Sequence, residues 1–542
     1  MTPLRQILQG TLIGLAFTAA RAQSADQVKI DSGLLQGSTQ DGVTSFKGVP
    51  FAAPPVGNLR WRAPQQIASW TGVRQATKFA SDCMQLPFPS DAAPLGTPPA
   101  EDCLYLNVWV PAQKPAGRLP VMIWIYGGGF VNGGSSPAPY DGAQFARGNI
   151  VLVSFNYRVG RFGFFAFPAL SREQAGKPLN NYAFMDQIAA LQWVQRNVAA
   201  FGGDPGDVTI FGESAGGGSV LTLLTSPMAK GLFEKAIVES GGGREALLGV
   251  RYLNKSGPTG LPSAEDVGVA FAKSNGINGT DAAALAALRA LPAETIVSDL
   301  NMASMGKQAS IYGGPIIDGL IVTETPQQAL LAGHYPRIPV IIGANSADIG
   351  FPRWHTLDET WTAFGPDSEK AKALYDPTNS GNNFLVGWKL GSDLMMIEPA
   401  RFVAQTIAAA GLPSYEYRFS YVAASKRKEW PGAPHATEIP YVFDTVKAVY
   451  GDKLTPADEA TAKQANAYWV NFAKTGDPNG GGLPHWPAYS AASDKLLNFS
   501  LNGPVAMADP WKERLDLIEK LLTKPVEAAR PLSGKEVTSQ AR

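Results

Sequence analysis

The chain has 542 residues, 45% of them hydrophobic, and its 46 Lys plus Arg balance 46 Asp plus Glu. A chain of this length and apolar content can bury a large core, and zero formal charge gives no electrostatic basis for a nucleic-acid or other polyanionic partner. Four histidines and two cysteines, with no HExxH run and no Cys/His cluster, offer no metal-ligand set, and no motif calls for a cofactor.

At the start, Arg5 precedes an apolar run from Leu12 through Ala20, and Ala20-Arg21-Ala22 carries small residues at both cleavage-recognition positions. This predicts a secretory signal peptide over residues 1–22 and an exported product, periplasmic or secreted. No stop-transfer pattern follows, and no later segment has the apolar length of a bilayer span, so stable membrane insertion is not expected. Export would place Cys83 and Cys103 in an oxidising compartment. They permit a single internal bridge, closing a loop of about 20 residues worth about 3 kcal/mol, or they stand as two separate thiols.

From Val28 to Trp61 short strand-like pieces alternate with Gly, Asp and Pro turns, which predicts an antiparallel lead-in. Further strands are expected at Leu104–Trp109, Val121–Tyr126 and Ile150–Phe155. A helix is expected over Tyr182–Ala199, with Phe184, Ile188, Leu191, Val194 and Val198 as one inward stripe. A tight turn at Gly202-Gly203-Asp204-Pro205 then leads into the strand Asp207–Phe211. After Gly216 an apolar helix runs to Ser226-Pro227, and strands follow at Ala236–Glu239, Ile338–Gly343 and Tyr415–Phe419. Helices are expected over Met396–Ala410 and Asp458–Ala473. Short apolar strands alternating with helices describe an α/β sheet covered on both faces. Length alone suggests about three domains of roughly 150 residues. The pattern instead favours one domain over 23–522, with lid-like or regulatory insertions near 255–330 and 351–430 and a polar tail over 523–542.

Chemistry concentrates at Gly212-Glu213-Ser214-Ala215-Gly216. A strand passing abruptly into a helix there needs glycines on either side of the turn and projects Ser214 above it, while the Ala215 amide and the helix start favour an oxyanion. Glu213 is directed away from Ser214 by its place in the elbow and is not the base. A serine hydroxyl needs a base to take its proton, and the order nucleophile, acid, histidine leaves His334, His355, His435 and His485. His334 precedes a core strand, His355 leaves little room for an acid, and His485 lies beside Trp486-Pro487 near the end. His435 is therefore the favoured base.

These motifs sit in a wider pattern. Phe46-Lys47-Gly48-Val49-Pro50-Phe51-Ala52, Glu101-Asp102-Cys103-Leu104-Tyr105-Leu106-Asn107-Val108, the run from Phe201 to Gly216, His435 through Phe443, and Asn471 through Asn479 together resemble the type-B carboxylesterase family. That family includes cholinesterase-like proteins and bacterial carboxylesterases, and the likeness extends over about residues 29 to 500. It implies an α/β-hydrolase fold with an eight- to fourteen-stranded mixed, mostly parallel sheet, a Cys83–Cys103 bridge, and Ser214 and His435 as members of a catalytic triad. Asp348 falls where relatives carry glutamate and is the implied acid, with Asp318 as the competitor; an aspartate must sit closer to the imidazole. The resemblance also implies Gly128 and Gly129 as oxyanion donors alongside Ala215. Tyr126 replaces the histidine that usually opens that motif, which alters the surrounding hydrogen bonds. Glu213 is implied to help hold the site interior, and Ser240 either joins the triad's hydrogen bonds or caps a strand.

The expected activity is hydrolysis of a small-molecule carboxylic ester, catalysed by a serine hydrolase through a covalent acyl-enzyme. A non-catalytic cholinesterase-like binding protein and a serine amidase or acyltransferase are the alternatives. Phe130, Phe351, Trp354 and Trp430 flank the active-site segments and are candidates for a wide apolar or aromatic pocket that would suit a bulky ester. Arg244 and Arg353 would either attract a carboxylated substrate or form ordinary salt bridges. Amphipathic helices do not distinguish solvent-facing from subunit-facing sides, so the sequence assigns no oligomeric state.

Overall fold

Most of the strands gather into one sheet, apolar at its centre and more polar at its edges. In chain order they are β1 (Ser38–Gln40), β2 (Val43–Pro50), β3 (Tyr105–Pro111), β4 (Leu119–Ile125), β5 (Val151–Phe155), β6 (Gly203–Glu213), β7 (Lys235–Glu239), β8 (Val340–Asn345), β9 (Ser414–Phe419), β10 (Lys495–Ser500) and β11 (Gly503–Ala508). The computed structural model describes residues 26–523, apart from 89, 114, 246–249 and 258–259. The expected leader over 1–22 and the tail beyond Thr523 lie outside the described residues.

The spatial order is β11-β10-β9-β8-β7-β6-β4-β5-β3-β2-β1, an 11-stranded sheet within the expected range. From β10 to β5 neighbouring strands run parallel; antiparallel β11 closes one edge and the antiparallel β3-β2-β1 the other. Parallel strands covered on both faces need continuous apolar sequence. Accordingly β5, β7, β8 and β9 are buried along their whole length, although β9 alternates its aromatic residues with Glu416 and Arg418. Their registers level the strand ends: Glu213 pairs with Glu239, Glu239 with Gly343 and Gly343 with Tyr417. The loops that leave these carboxyl ends therefore begin side by side, where open α/β sheets place their ligands.

Helix α1 (Tyr182–Asn197) departs from the expected single inward stripe. The five predicted positions are buried, but so are Tyr182, Ala183, Asp186, Gln187, Ala190 and Trp193. The helix is enclosed on almost every side, and Asp186 is satisfied there by a two-pronged bond from Arg158, at 2.8 Å from Nε and 2.7 Å from Nη2. The expected turn at 202–205 is also different. Gly202 is left-handed, yet pairing already begins at Gly203 opposite Leu119 and slips before Val208 meets Val121. Pro205, which has no N–H to give a ladder, falls in that slip.

Helix α2 (Ala215–Thr225) follows β6 directly. Farther along, the first part of the insertion expected near 351–430 forms three helices, Leu357–Phe364, Ser368–Tyr375 and Asn383–Ser392. Trp361, Phe364, Tyr375 and Leu390 pack there against Leu517 and Ile518 of the last described helix, Lys512–Thr523. That helix and the β10–β11 hairpin carried no sequence expectation. Among the described residues no helix is long and apolar enough to cross a membrane.

Cys83 and Cys103 are disulfide-bonded across a sequence separation of 20. Replacing both by alanine is expected to lower stability by about 3 kcal/mol through the regained freedom of the unfolded loop, read from the urea unfolding midpoint under non-reducing conditions.

Candidate active site

At the end of β6 the chain turns so sharply that Ser214 adopts φ 58° and ψ −123°, a conformation a non-glycine residue holds only when its surroundings fix it. Its N–H donates to the Glu239 carbonyl at 2.9 Å, tying the elbow to β7. Ser214 stands at the N-cap of α2 without capping it, although a serine cap is worth about 1 kcal/mol. The hydroxyl points instead at His435, with Oγ 2.8 Å from Nε2.

His435 arrives on a loop zipped to the one leaving β8. Ala347 N–H donates to the Ala433 carbonyl at 2.8 Å, Ala433 N–H to Ser346 Oγ at 2.9 Å, and Asn345 Nδ2 to the Pro434 carbonyl at 2.7 Å. This brings His435 Nδ1 within 2.6 Å of Asp348 Oδ1. The shorter acid thus meets the imidazole directly. Asp348 is fully buried and its oxygens are completely engaged: Oδ1 also accepts Ile349 N–H at 2.7 Å, while Oδ2 accepts Ser240 Oγ–H at 2.7 Å and Asn345 N–H at 2.8 Å. The competitor Asp318 is spent on a turn, accepting the N–H groups of Leu320, Ile321 and Val322. His334 bonds Glu324 at 2.6 Å and is 65% exposed, and His355 and His485 are exposed.

Burial works against the charge of Asp348, but the His435 charge and bond, with Ser240 and Asn345, outweigh it and hold its carboxyl below the usual range. For His435, burial likewise opposes the imidazolium; the Asp348 charge and hydrogen bond and the Glu438 charge prevail and raise its pKa. Three further carboxyls surround this pair. Glu213 is held well above the ordinary carboxylate range by burial and by Asp348, Glu239 and Asp91. Glu239 is pushed by burial to about 8 against a Trp469 Nε1–H bond, and Glu438 is raised by burial and by Glu213, Glu239 and Asp348. Burial and mutual repulsion thus favour the neutral form of these three, whereas Asp348 alone of the four is shifted toward its anion. The Glu213 side chain is not turned away from the reaction side as expected: Oε1 lies 3.2 Å from His435 Nε2, without hydrogen-bond geometry. Glu239 and Glu438 were missed in the sequence, although a glutamate ending the apolar strand Ala236-Ile237-Val238 was a signal.

Gly128 and Gly129 form a turn at φ 101° and 62° after β4, and Ala215 is the first residue of α2. Tyr126, fully buried, stacks on Tyr157 with ring centroids 4.3 Å apart. The two rings exchange bonds with each other's backbone. Tyr126 O–H donates to the Tyr157 carbonyl at 2.8 Å and accepts Tyr157 N–H at 3.1 Å, while Tyr157 O–H donates to the Tyr126 carbonyl at 2.7 Å. Tyr126 therefore ties the end of β4 to the segment after β5. Met302 and Met305, unremarked in the sequence, face this turn: a β-carbon built on Gly129 would lie 3.5 Å from Met302 Cγ and 3.7 Å from Met305 Cε.

Of the four pocket candidates, Phe130 is buried edge-on against Phe164 and Phe184 beside the turn. Phe351 is 44% exposed with its backbone close to Gly391, Trp354 packs on the 357–394 helical cluster, and Trp430 lies partly buried beneath Lys426. Arg244 is committed to Glu398, with Nε 2.7 Å from Oε2, and stacks over Phe402. Arg353 lies over Trp354, and burial lowers its pKa.

Residues 24–380 and 368–516 match the model of the carboxylesterase family. Fumonisin B1 esterase of Sphingopyxis macrogoltabida is 35% identical over 501 residues, covering 88% of each chain. Para-nitrobenzyl esterase of Bacillus subtilis strain 168 is 33% identical over 493 residues, 86% of this chain and 93% of the relative. Human cocaine esterase is 32% identical over 584 residues, 97% and 98% of the two chains. With that agreement across nearly the whole sheet and its loops, the chain belongs to the carboxylesterase family and is an ester hydrolase.

Proposed function

We propose that the ester is opened by Ser214, with His435 as general base, Asp348 as the residue orienting it, and the N–H groups of Gly128, Gly129 and Ala215 as the oxyanion hole. The observation that carries this reading is the continuous chain of contacts, Ser214 Oγ to His435 Nε2 at 2.8 Å and His435 Nδ1 to Asp348 Oδ1 at 2.6 Å. As Oγ attacks the carbonyl carbon, its proton passes to Nε2 and the carbonyl electrons move onto oxygen, where the three N–H groups and the start of α2 stabilise them. Collapse of this intermediate expels the alcohol, which takes the proton from Nε2 and leaves Ser214 acylated. Water, deprotonated by the same nitrogen, repeats the addition and releases the acid. Incubation of the folded chain with a fluorophosphonate is expected to give a single adduct on Ser214, in parallel with loss of ester hydrolysis; an adduct elsewhere, or none, would refute the assignment.

Neutral His435 is the competent form, and its raised pKa moves the acid limb of kcat/KM above the ordinary imidazole value near 6.5. Asp348→Asn removes the main upward cause, so that limb is expected to move to lower pH while the plateau falls. A limb unmoved by the substitution would count against His435 and Asp348 acting as a pair.

The relatives are named for chemically dissimilar esters, so the class carried to this chain is the carboxylic ester itself. The pocket proposed for it is bounded by Phe130 with Met302 and Met305 near the turn and by the segments bearing Phe351, Trp354 and Trp430 farther out. The Cys83–Cys103 disulfide supports export, because such bonds persist in oxidising compartments.

A further inference from the structure

The turn bearing Gly128 and Gly129 is gripped by a side chain from outside the sheet. Gln85 lies two residues beyond Cys83 in the disulfide-closed loop and is 4% exposed. Its Nε2 donates to the carbonyls of Gly133 at 2.6 Å and Cys83 at 2.9 Å, and its Oε1 accepts the N–H of Gly133 at 2.9 Å and Asn132 Nδ2 at 3.2 Å. A single amide thus serves both backbone groups of Gly133, as a neighbouring strand would. Asn132 extends the grip, donating to the Leu86 carbonyl at 2.7 Å and accepting Met302 N–H at 2.9 Å.

The peptide held in this way is the one on which Gly128 rests. A β-carbon built on Gly128 would overlap the Asn132 carbonyl oxygen and lie 2.6 Å from its carbon and 3.2 Å from Gly133 N. The Gly128 carbonyl accepts the N–H groups of Val131 at 3.1 Å and Asn132 at 2.9 Å. No slack separates the 132–133 peptide from Gly128, so a shift of one moves the other.

We propose that Gln85 is a positioning residue for ester hydrolysis: through the 132–133 peptide, its amide sets the direction in which Gly128 and Gly129 present their N–H groups. The proposal rests on the oxyanion hole described under Proposed function. Gln85 is not needed to keep the loop in place. Asp82 separately accepts Ser135 N–H at 3.1 Å and the Thr97 and Ser136 hydroxyls, and the disulfide remains.

The test uses Gln85→Met, which keeps the length and apolar bulk of the side chain but no hydrogen bonds, and Gln85→Glu, which keeps the acceptors and loses the donor to Gly133. For Gln85→Met, kcat is expected to fall about ten- to hundredfold, with KM changed less than about threefold. Gln85→Glu should fall between Gln85→Met and the wild type. Affinity for an aryl trifluoromethyl ketone, whose adduct with the serine carries the oxyanion, should fall by the same factor as kcat/KM, while affinity for the product carboxylic acid stays constant. Wild-type kcat and ketone affinity in both variants would overturn the proposal, as would equal losses for ketone and product acid. If Gln85→Met does not fold, the same comparison on Gln85→Glu decides. A wild-type chain that hydrolyses esters while both variants match it removes this inference alone, whereas a wild-type chain that takes no fluorophosphonate at Ser214 removes the underlying mechanism.

Discussion

Ser214→Ala is expected to reduce kcat for ester hydrolysis by roughly 10⁵- to 10⁶-fold and to leave the folded state almost unchanged. The hydroxyl caps nothing in α2 and its partner is the imidazole 2.8 Å away, so its loss removes the nucleophile and little packing. His435→Ala should cost a similar factor, and the double variant should be no worse than either single one, because nucleophile and base act as a unit. Asp348→Asn differs in kind. An amide can still hold the ring, so about 10⁴-fold is expected in rate, but stability should also suffer. Oδ1 accepts Ile349 N–H besides His435, and Oδ2 accepts both Ser240 and Asn345. Whichever way the amide is turned, its NH2 group meets at least one backbone N–H donor. A loss of about 1–3 kcal/mol is therefore expected for a buried donor left without an acceptor. Thermal unfolding of the variants beside their kinetics separates the two effects. Ser214→Ala retaining more than a small fraction of wild-type turnover would show that another group carries the attack.

The parts of this site that were legible in the sequence are those whose chemistry is local. The elbow around Ser214 announces itself because only a glycine-flanked serine between an apolar strand and a helix makes such a turn. His435 stood out because histidine is scarce in the chain. What escaped was set by distant parts of the chain meeting. Glu438 carries no local signal of its own, and only the convergence of β7, β8 and the 430s loop buries it with Glu213 and Glu239 and raises the pKa of all three. Met302 and Met305 reach Gly129 from a stretch of successive turns that has no periodicity to read. The fold behaved similarly. Fully buried strands such as β8 were readable as unbroken apolar runs, while β11, at the sheet edge with half of its residues exposed, offers neither a run nor an alternation. Asp186 and the glutamines of α1 obscured how completely that helix is enclosed, since Asp186 is tolerated there only because Arg158 comes from another segment.

Two glycines of the same helix should respond to an added methyl group with opposite signs. Gly216 lies one residue beyond Ala215 in the first turn of α2, where the helix presses on β4. A β-carbon built on Gly216 would overlap the Ile125 carbonyl oxygen and come within 2.8 Å of both the Ile125 carbonyl carbon and the Tyr126 oxygen. These are backbone atoms at the end of a central strand paired on both sides, by β5 and β6, so they cannot yield as a side chain would. Relief must come from α2 moving away, which carries Ala215 N–H and Ser214 out of line with the turn at Gly128. Gly216→Ala is therefore expected to cost about 3 kcal/mol of stability, as overpacking against a rigid neighbour does, and at least about 10³-fold in kcat. Gly218 sits two residues farther along the same helix. There the added carbon would meet the Gly241 carbonyl at 3.6 Å and Phe130 Cζ at 3.9 Å, ordinary contact distances. Gly218→Ala should gain up to about 1 kcal/mol from helix propensity and reduced unfolded-state freedom, with activity nearly intact. Urea unfolding and kcat measured on the pair test whether the spacing between α2 and β4, rather than helix propensity, governs the elbow; equal effects from the two substitutions would show that it does not.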